Sequence, residues 1–234
     1  DSMQVYKEFS ILSSKPSNQE LKKVKHHLYG IISVKNYFSA GDWLKKNKII
    51  IRSCFKRKKT PIIVGGTGLY FNTITRGISK IPNIDLKTRN KVRNLFKRLG
   101  HIKFYEKLLE KDPKIKDKIL PTDSQRTQRA YEVIIKTKKS LLDWISNTKS
   151  DFVNYDIKKI FIEIPREELL KNISRRTEII FKNKCIEEVK KFNALKINKS
   201  LSANKLIGVQ EINSYLQRSI NLDQCKELIN IKTR

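Results

Sequence analysis

A carboxylate, a glycine-rich turn and an arginine-bearing helix face are the places in this chain where residue type and spacing could support chemistry. Asp1 heads the string Asp1-Ser2-Met3-Gln4-Val5-Tyr6, and a positioned carboxylate can serve as a general base. Gly65-Gly66-Thr67-Gly68-Leu69-Tyr70 brings backbone N–H groups and the Thr67 hydroxyl to a helix N-terminus, where partial positive charge favours phosphate. In Asp123-Ser124-Gln125-Arg126-Thr127-Gln128-Arg129, Gln125 and Arg129 share one helix face, and forked guanidinium groups held there suit phosphate or base-edge contacts. Each string also has an everyday explanation: a capping Asp, a common glycine turn, a solvated basic face.

Charge narrows the choice of partner. Lys+Arg number 51 against 23 Asp+Glu, a formal net charge of +28 over 234 residues, and the basic residues are spread along the chain instead of forming one tail. A polyanion is the natural partner, although a chain this rich in Lys, Asn and Ile carries part of that charge as ordinary solvated surface. Cys54, Cys185 and Cys225 are odd in number and far apart, and His26 and His27 are remote from His101, so neither a disulfide framework nor a metal cluster is expected. A reducing compartment, the cytoplasm, fits. No apolar run reaches the ~18 residues of a membrane span, and no signal-peptide pattern opens the chain.

The elements that must position these residues can be read from periodicity. Pro61-Ile62-Ile63-Val64 is an apolar run that stops at glycines before a helix opens at Leu69, the pattern of a buried parallel strand, and Lys159-Ile160-Phe161-Ile162-Glu163-Ile164 predicts a second strand before the helix that Pro165 begins. Residues 81–150 differ: Asp85 caps a helix that Gly100 stops, and further helical segments follow Asp112-Pro113 and Pro121-Thr122-Asp123. Glu167 to Leu195 reads as one long helix, with two closing helices near Val209–Gln217 and Asp223–Ile231. The expected organisation is an α/β core from residues 1–80 and 151–234, interrupted by an all-helical insertion over 81–150.

Taken together, Asp1-Ser2-Met3-Gln4-Val5-Tyr6, Val64-Gly65-Gly66-Thr67-Gly68-Leu69-Tyr70 and Gln125-Arg126-x-x-Arg129 resemble, in order and across nearly the whole chain, the tRNA dimethylallyltransferase family. The resemblance implies a P-loop-NTPase-like parallel-sheet core with an RNA-facing helical insertion, and transfer of a dimethylallyl group from dimethylallyl diphosphate to N6 of an adenine beside the anticodon. That reaction needs a pyrophosphate cradle, a base near the amine and exclusion of water. By resemblance Asp1 is the base, with Ser2, Met3 and Gln4 lining the tRNA contact. Thr67 stands where diphosphate and tRNA meet, and Arg176 reaches the donor diphosphate, a role suited to an always-protonated bidentate donor. Arg175, which points in a different direction, is the alternative to Arg176. Gln125, Arg126, Thr127, Gln128 and Arg129 fall on the anticodon arm, Arg89 on another tRNA contact, and Asn204–Glu211 on a third. Mg²⁺ is implied as a bridge between pyrophosphate oxygens, and the sequence singles out no ligands for it. The implied partners are the tRNA anticodon stem-loop and dimethylallyl diphosphate, with the protein a monomer and no membrane involved.

This chain departs from the family pattern in several places. No G-x-T-x-x-G-K-[ST] phosphate loop and no initiator Met precede Asp1, and the chain stops at Thr233-Arg234 where relatives continue into a basic helix. Those departures predict a fragment that is inactive by itself. Asn172 replaces a frequent Arg, and Val209 and Gln210 replace the aromatic and basic residues common in the third tRNA stretch. Two rival readings use the same residues: an adenylate isopentenyltransferase that takes a free nucleotide as acceptor, and a non-catalytic RNA-binding relative.

Overall fold

Capping side chains set most of the helix starts. A computed structural model describes residues 1–234, with ten α-helices: α1 (Asn18–Lys23), α2 (Ala40–Lys56), α3 (Gly68–Thr75), α4 (Leu86–Lys111), α5 (Ser124–Thr137), α6 (Leu141–Ser146), α7 (Arg166–Lys182), α8 (Cys185–Ala194), α9 (Val209–Leu216) and α10 (Leu222–Thr233). Ser17, Ser39 and Asn221 close reciprocal capping boxes with Glu20, Asp42 and Gln224, satisfying N–H groups that a helix start leaves orphaned. Asp85 accepts the Thr88 N–H at 2.7 Å and Asp123 the Arg126 N–H at 3.0 Å, as their positions in the sequence predict. None of these helices is long and apolar enough to cross a membrane.

The expected parallel-sheet core is not formed. The fold is all-helical, and its only β-type pairing is an isolated parallel bridge between Tyr6 and Ile32. Pro61–Val64 and Lys159–Ile164 both lie outside any helix or ladder, and most of their apolar side chains face solvent: Ile62 is 84% exposed, Ile160 88% and Phe161 89%, while Ile63 is half-buried. An apolar run bounded by glycine or proline reports only local patterning, whereas a strand exists through a neighbour that pairs with it. Neither segment finds that neighbour here. The long helix expected over Glu167–Leu195 is also divided, because Asn183 ends α7 and Lys184 turns to φ 65° before α8. Gly100 stops a helix only for one residue: at φ 71° it kinks α4, which then continues to Lys111.

The chain divides into two compact units, one made of residues 1–70 and 157–234, the other of residues 71–156. In the first, the helix-free segment at the start of the chain is buried among the later helices. Phe9 is 0% and Leu12 2% exposed, and the Phe9 ring lies 4.7 Å from Phe192 on α8. Lys7 N–H donates to Ile32 O at 2.8 Å and Ile31 N–H to Val5 O at 2.8 Å, which fixes the path just beyond Asp1.

In the second unit, α4 packs on α5 around Phe104, Leu108, Tyr131 and Val133. Phe104 meets Phe96 edge-on at 5.1 Å and packs against Tyr131 in a tilted arrangement at 5.0 Å. The ends of this unit are held by Ser79 and Thr148, whose hydroxyls are 2.8 Å apart, and by Gly77. Gly77 has φ 92°, and a Cβ there would lie 2.4 Å from the Lys149 carbonyl oxygen. Gly77→Ala is therefore expected to destabilise this unit by about 1–3 kcal/mol through backbone strain and overlap. A urea unfolding midpoint equal to the parent's would contradict that account.

Candidate active site

Asp1 and the glycine turn, 65 positions apart in sequence, meet in the first unit. Gly65 makes the approach possible, since a Cβ there would fall 3.1 Å from Asp1 N. The Thr67 hydroxyl donates to Asp1 Oδ2 at 3.0 Å and accepts the Ser2 N–H at 3.0 Å. Gly66 N–H also reaches Asp1 Oδ2, at 3.3 Å, while Met3 N–H donates to Oδ1 at 3.0 Å. Three donors thus hold the carboxylate in one orientation, and Ser2 Oγ lies 3.2 Å from Thr67 Oγ1. The turn is anchored by Tyr70, which is 6% exposed and stacks on Trp43 of α2 with ring centroids 4.3 Å apart. Burial pushes the Tyr70 phenol up to about 12, so it remains a neutral anchor.

Gln4 and Arg176 converge on a single turn. Gln4 Nε2 donates to Ser13 O and Ser14 O, each at 3.0 Å. Arg176, on α7, donates from Nε to Ser14 Oγ at 3.0 Å and from Nη2 to Leu12 O at 2.9 Å. Its neighbour Arg175 is exposed, so of the two alternatives Arg176 is the one attached to the segment that follows Asp1. Burial lowers the Arg176 pKa from its ordinary value. The guanidinium also borders an open cleft of about 490 Å³ lined by Ser10, Ser14, Lys15, Ile179 and Asn183 among others.

The segment Asn204–Glu211 lies in the same unit and is built around Gly208. Gly208 has φ 103°, and a Cβ there would sit 2.6 Å from Leu12 Cδ2. Glu211, 4% exposed, accepts the Gly208 N–H at 2.8 Å and pairs with Lys232 of α10. Burial by itself raises the Glu211 pKa, but the Lys232 ammonium and the backbone N–H groups outweigh it and hold the carboxyl below its ordinary value. Val209 is 2% exposed, so the position that lacks the family's aromatic residue is a core position.

In the second unit the arginine face is built as its spacing predicts, with one exception. Gln125 and Arg126 are exposed, and Arg126 forms a 3.4 Å ion pair with Asp123. Arg129 Nη1 donates to Glu132 at 3.2 Å, and Gln128 Nε2 donates to Ser124 O at 2.9 Å. Thr127 is the exception: at 1% exposure, with its hydroxyl turned back to Ser124 O, it offers no surface to RNA. Arg89 stands on α4 one turn after the Asp85 cap, and its Nε is buried without a hydrogen-bond partner.

Two parts of the first unit escaped the sequence reading: the Ser13-Ser14 acceptors and Glu188 of α8. The Glu188 carboxylate accepts the Ser10 N–H at 2.7 Å, the Ile11 N–H at 2.9 Å and the Leu12 N–H at 2.9 Å. No local signal marks it, because Glu187-Glu188 in the first turn of a helix reads as ordinary dipole compensation.

The comparisons with known proteins agree on one family. The family model described as IPP transferase matches residues 4–234. The chain belongs to the IPP transferase family. It is 51% identical to the tRNA dimethylallyltransferase of Pelagibacter ubique (strain HTCC1062), covering 100% of this chain and 75% of that protein. It is 37% identical to the tRNA dimethylallyltransferase of Ehrlichia chaffeensis, covering 100% and 77%. Among solved structures, it is similar to the full-length tRNA isopentenylpyrophosphate transferase of Bacillus halodurans, with TM-score 0.65 at 28% identity, covering 99% of this chain and 72% of that one. A eukaryotic dimethylallyltransferase acting on tRNA shares the fold with TM-score 0.82 at 23% identity, covering 100% and 59%.

The cap that starts the Arg89 helix is sensitive to acid. The Thr88 N–H, Lys136 and the Thr88 hydroxyl together hold the Asp85 carboxyl well below the usual carboxylate range. A lowered folded-state value means that this contribution is present above the unfolded value of about 4 and is lost as pH falls through the lower folded value. Thermal melts of the parent should lose stability as pH drops below about 4, whereas Asp85→Asn, which can still cap, should lose less over the same range. Identical acid limbs would show that the cap's charge is unimportant.

Proposed function

We propose that this chain is a tRNA dimethylallyltransferase, transferring the dimethylallyl group of dimethylallyl diphosphate to N6 of an adenine beside the anticodon. Homologous proteins of that name support the transfer to tRNA, and the contact of Thr67 and Gly66 with Asp1 Oδ2 carries the residue-level reading. In it, Asp1 accepts a proton from the attacking amine. Its two oxygens are already oriented by Thr67, Gly66 and Met3, so the proton acceptor needs little rearrangement when substrate arrives. Thr67 sits between the base and the leaving pyrophosphate. Arg176 supplies fixed positive charge where negative charge develops on the donor. Ser2, Met3 and Gln4 shape the acceptor side.

The exposed Gln125 and Arg126, with Gln128, Arg129 and Arg89, form the RNA contacts of the second unit, positioning the anticodon arm through phosphates and base edges. Mg²⁺ would arrive with the diphosphate. No group of three His, Cys, Asp or Glu side chains gathers in this chain, so the residues present do not form a magnesium cage and no step is assigned to the ion.

The test is transfer of a labelled dimethylallyl group to tRNA, measured on this chain and on the protein at the full length of its gene. Asp1→Ala should lower turnover by roughly 10²–10⁴-fold while tRNA affinity is retained. An Asp1→Ala enzyme with parental turnover would remove Asp1 from the chemistry. Changing Arg126 and Arg129 together to Ala should weaken tRNA binding and flatten its dependence on salt, because fewer counterions are released. Unaltered affinity and slope would leave these arginines as solvated surface, and a protein that alkylates free adenylate but not tRNA would favour the nucleotide-acceptor reading.

A further inference from the structure

Glu188 lies on α8, outside every string that carries the family resemblance, yet it is 8% exposed and its carboxylate is saturated by one short segment. Oε1 accepts the N–H groups of Ser10 and Ile11 at 2.7 and 2.9 Å and the Ser10 hydroxyl at 3.1 Å, while Oε2 accepts the Leu12 N–H at 2.9 Å. Successive N–H groups aimed at one anion form a nest, and such a carboxylate fixes the course of the backbone it binds. The carbonyl and hydroxyl groups of that turn are the ones used by the residues with proposed roles. Leu12 O and Ser14 Oγ hold Arg176, and Ser13 O and Ser14 O hold Gln4.

We propose that Glu188 is a positioning residue for the donor diphosphate, acting by clamping the turn 10–14 on which the Arg176 guanidinium is seated. A planar guanidinium has five N–H donors in a fixed fork, so two bonds to one rigid turn set its plane and leave the other donors for the diphosphate. Without the clamp the turn can shift and the fork loses its direction, although Arg176 keeps its charge. Glu188 holds the N–H groups of residues 10–12, and Leu12 is also the residue whose carbonyl seats Arg176, whereas both carbonyls that hold Gln4, on Ser13 and Ser14, lie beyond the clamped residues. The main effect therefore falls on the donor.

The inference rests on the reading of Arg176 given above, and the experiment separates the two. Initial rates of dimethylallyl transfer are measured on the full-length protein with dimethylallyl diphosphate and tRNA varied in turn. Glu188→Gln keeps the shape but places an amide donor against backbone N–H groups, and should raise the KM for dimethylallyl diphosphate about tenfold while the KM for tRNA stays within about twofold. In an Arg176→Ala background the same change should have no further effect, since its route to the substrate is already gone. Ser14 is exposed, and Ser14→Ala removes only the partner of Arg176 Nε. It should raise the donor KM about threefold in a protein that melts at the parental temperature, and it decides the matter if Glu188→Gln does not fold. Losses that fall equally on both substrates, or that add to Arg176→Ala, or a Ser14→Ala enzyme with parental donor KM, overturn the proposal. A parental donor KM in Arg176→Ala itself overturns the role of Arg176 instead.

Discussion

The first unit depends on the burial of Phe9 and Leu12. The opening sixteen residues form no helix, and the local bonds of the 10–14 turn, Ser14 N–H to Ile11 O and Lys15 N–H to Ser10 O, shape it without attaching it to the rest of the unit. Two fully buried apolar side chains contribute about 1.5–3 kcal/mol each, more than the ~1 kcal/mol net of a typical hydrogen bond, so apolar contact provides the attachment and polar contact the orientation. Phe9 reaches α8 through Phe192, and Leu12 reaches the start of α9 through Gly208, where even a methyl group would collide with it. The same short segment therefore ties two C-terminal helices to the region that holds the carboxylate. This explains why residues at the two ends of the sequence, such as Ser14 and Arg176 or Leu12 and Glu188, meet within hydrogen-bond distance.

What could be read from the sequence was local. Asp85 and Asp123 announce helix starts because a capping carboxylate acts on N–H groups two or three residues away. Gly65-Gly66-Thr67-Gly68 announces a turn because glycine permits backbone approaches that other residues cannot make. Features decided by distant parts of the chain were misread or missed. Ile160-Phe161-Ile162 has strand composition but no pairing partner, and no sheet follows. Thr127 sits in an RNA-like motif yet turns inward, because the apolar stripe of α5 through Ala130, Tyr131 and Val133 also claims its position. Lys184 looks like one more residue of a long helix, but its left-handed conformation resets the direction of the chain and lets α8 present Glu188 to the opening turn.

The seating of Arg176 on this turn also sets its electrostatics. A half-buried guanidinium loses hydration, which is why its pKa falls below the ordinary value, and desolvation of this kind is normally offset by a carboxylate. Here the groups that meet it, Ser14 Oγ and Leu12 O, are neutral dipoles. They satisfy its geometry without cancelling its charge. The Glu188 carboxylate, held by four donors of residues 10–12, forms no ion pair with it. The arrangement keeps a cation oriented and incompletely compensated beside an open cleft, so an anionic ligand binding there gains both the Coulombic attraction and the hydrogen bonds that the protein withholds.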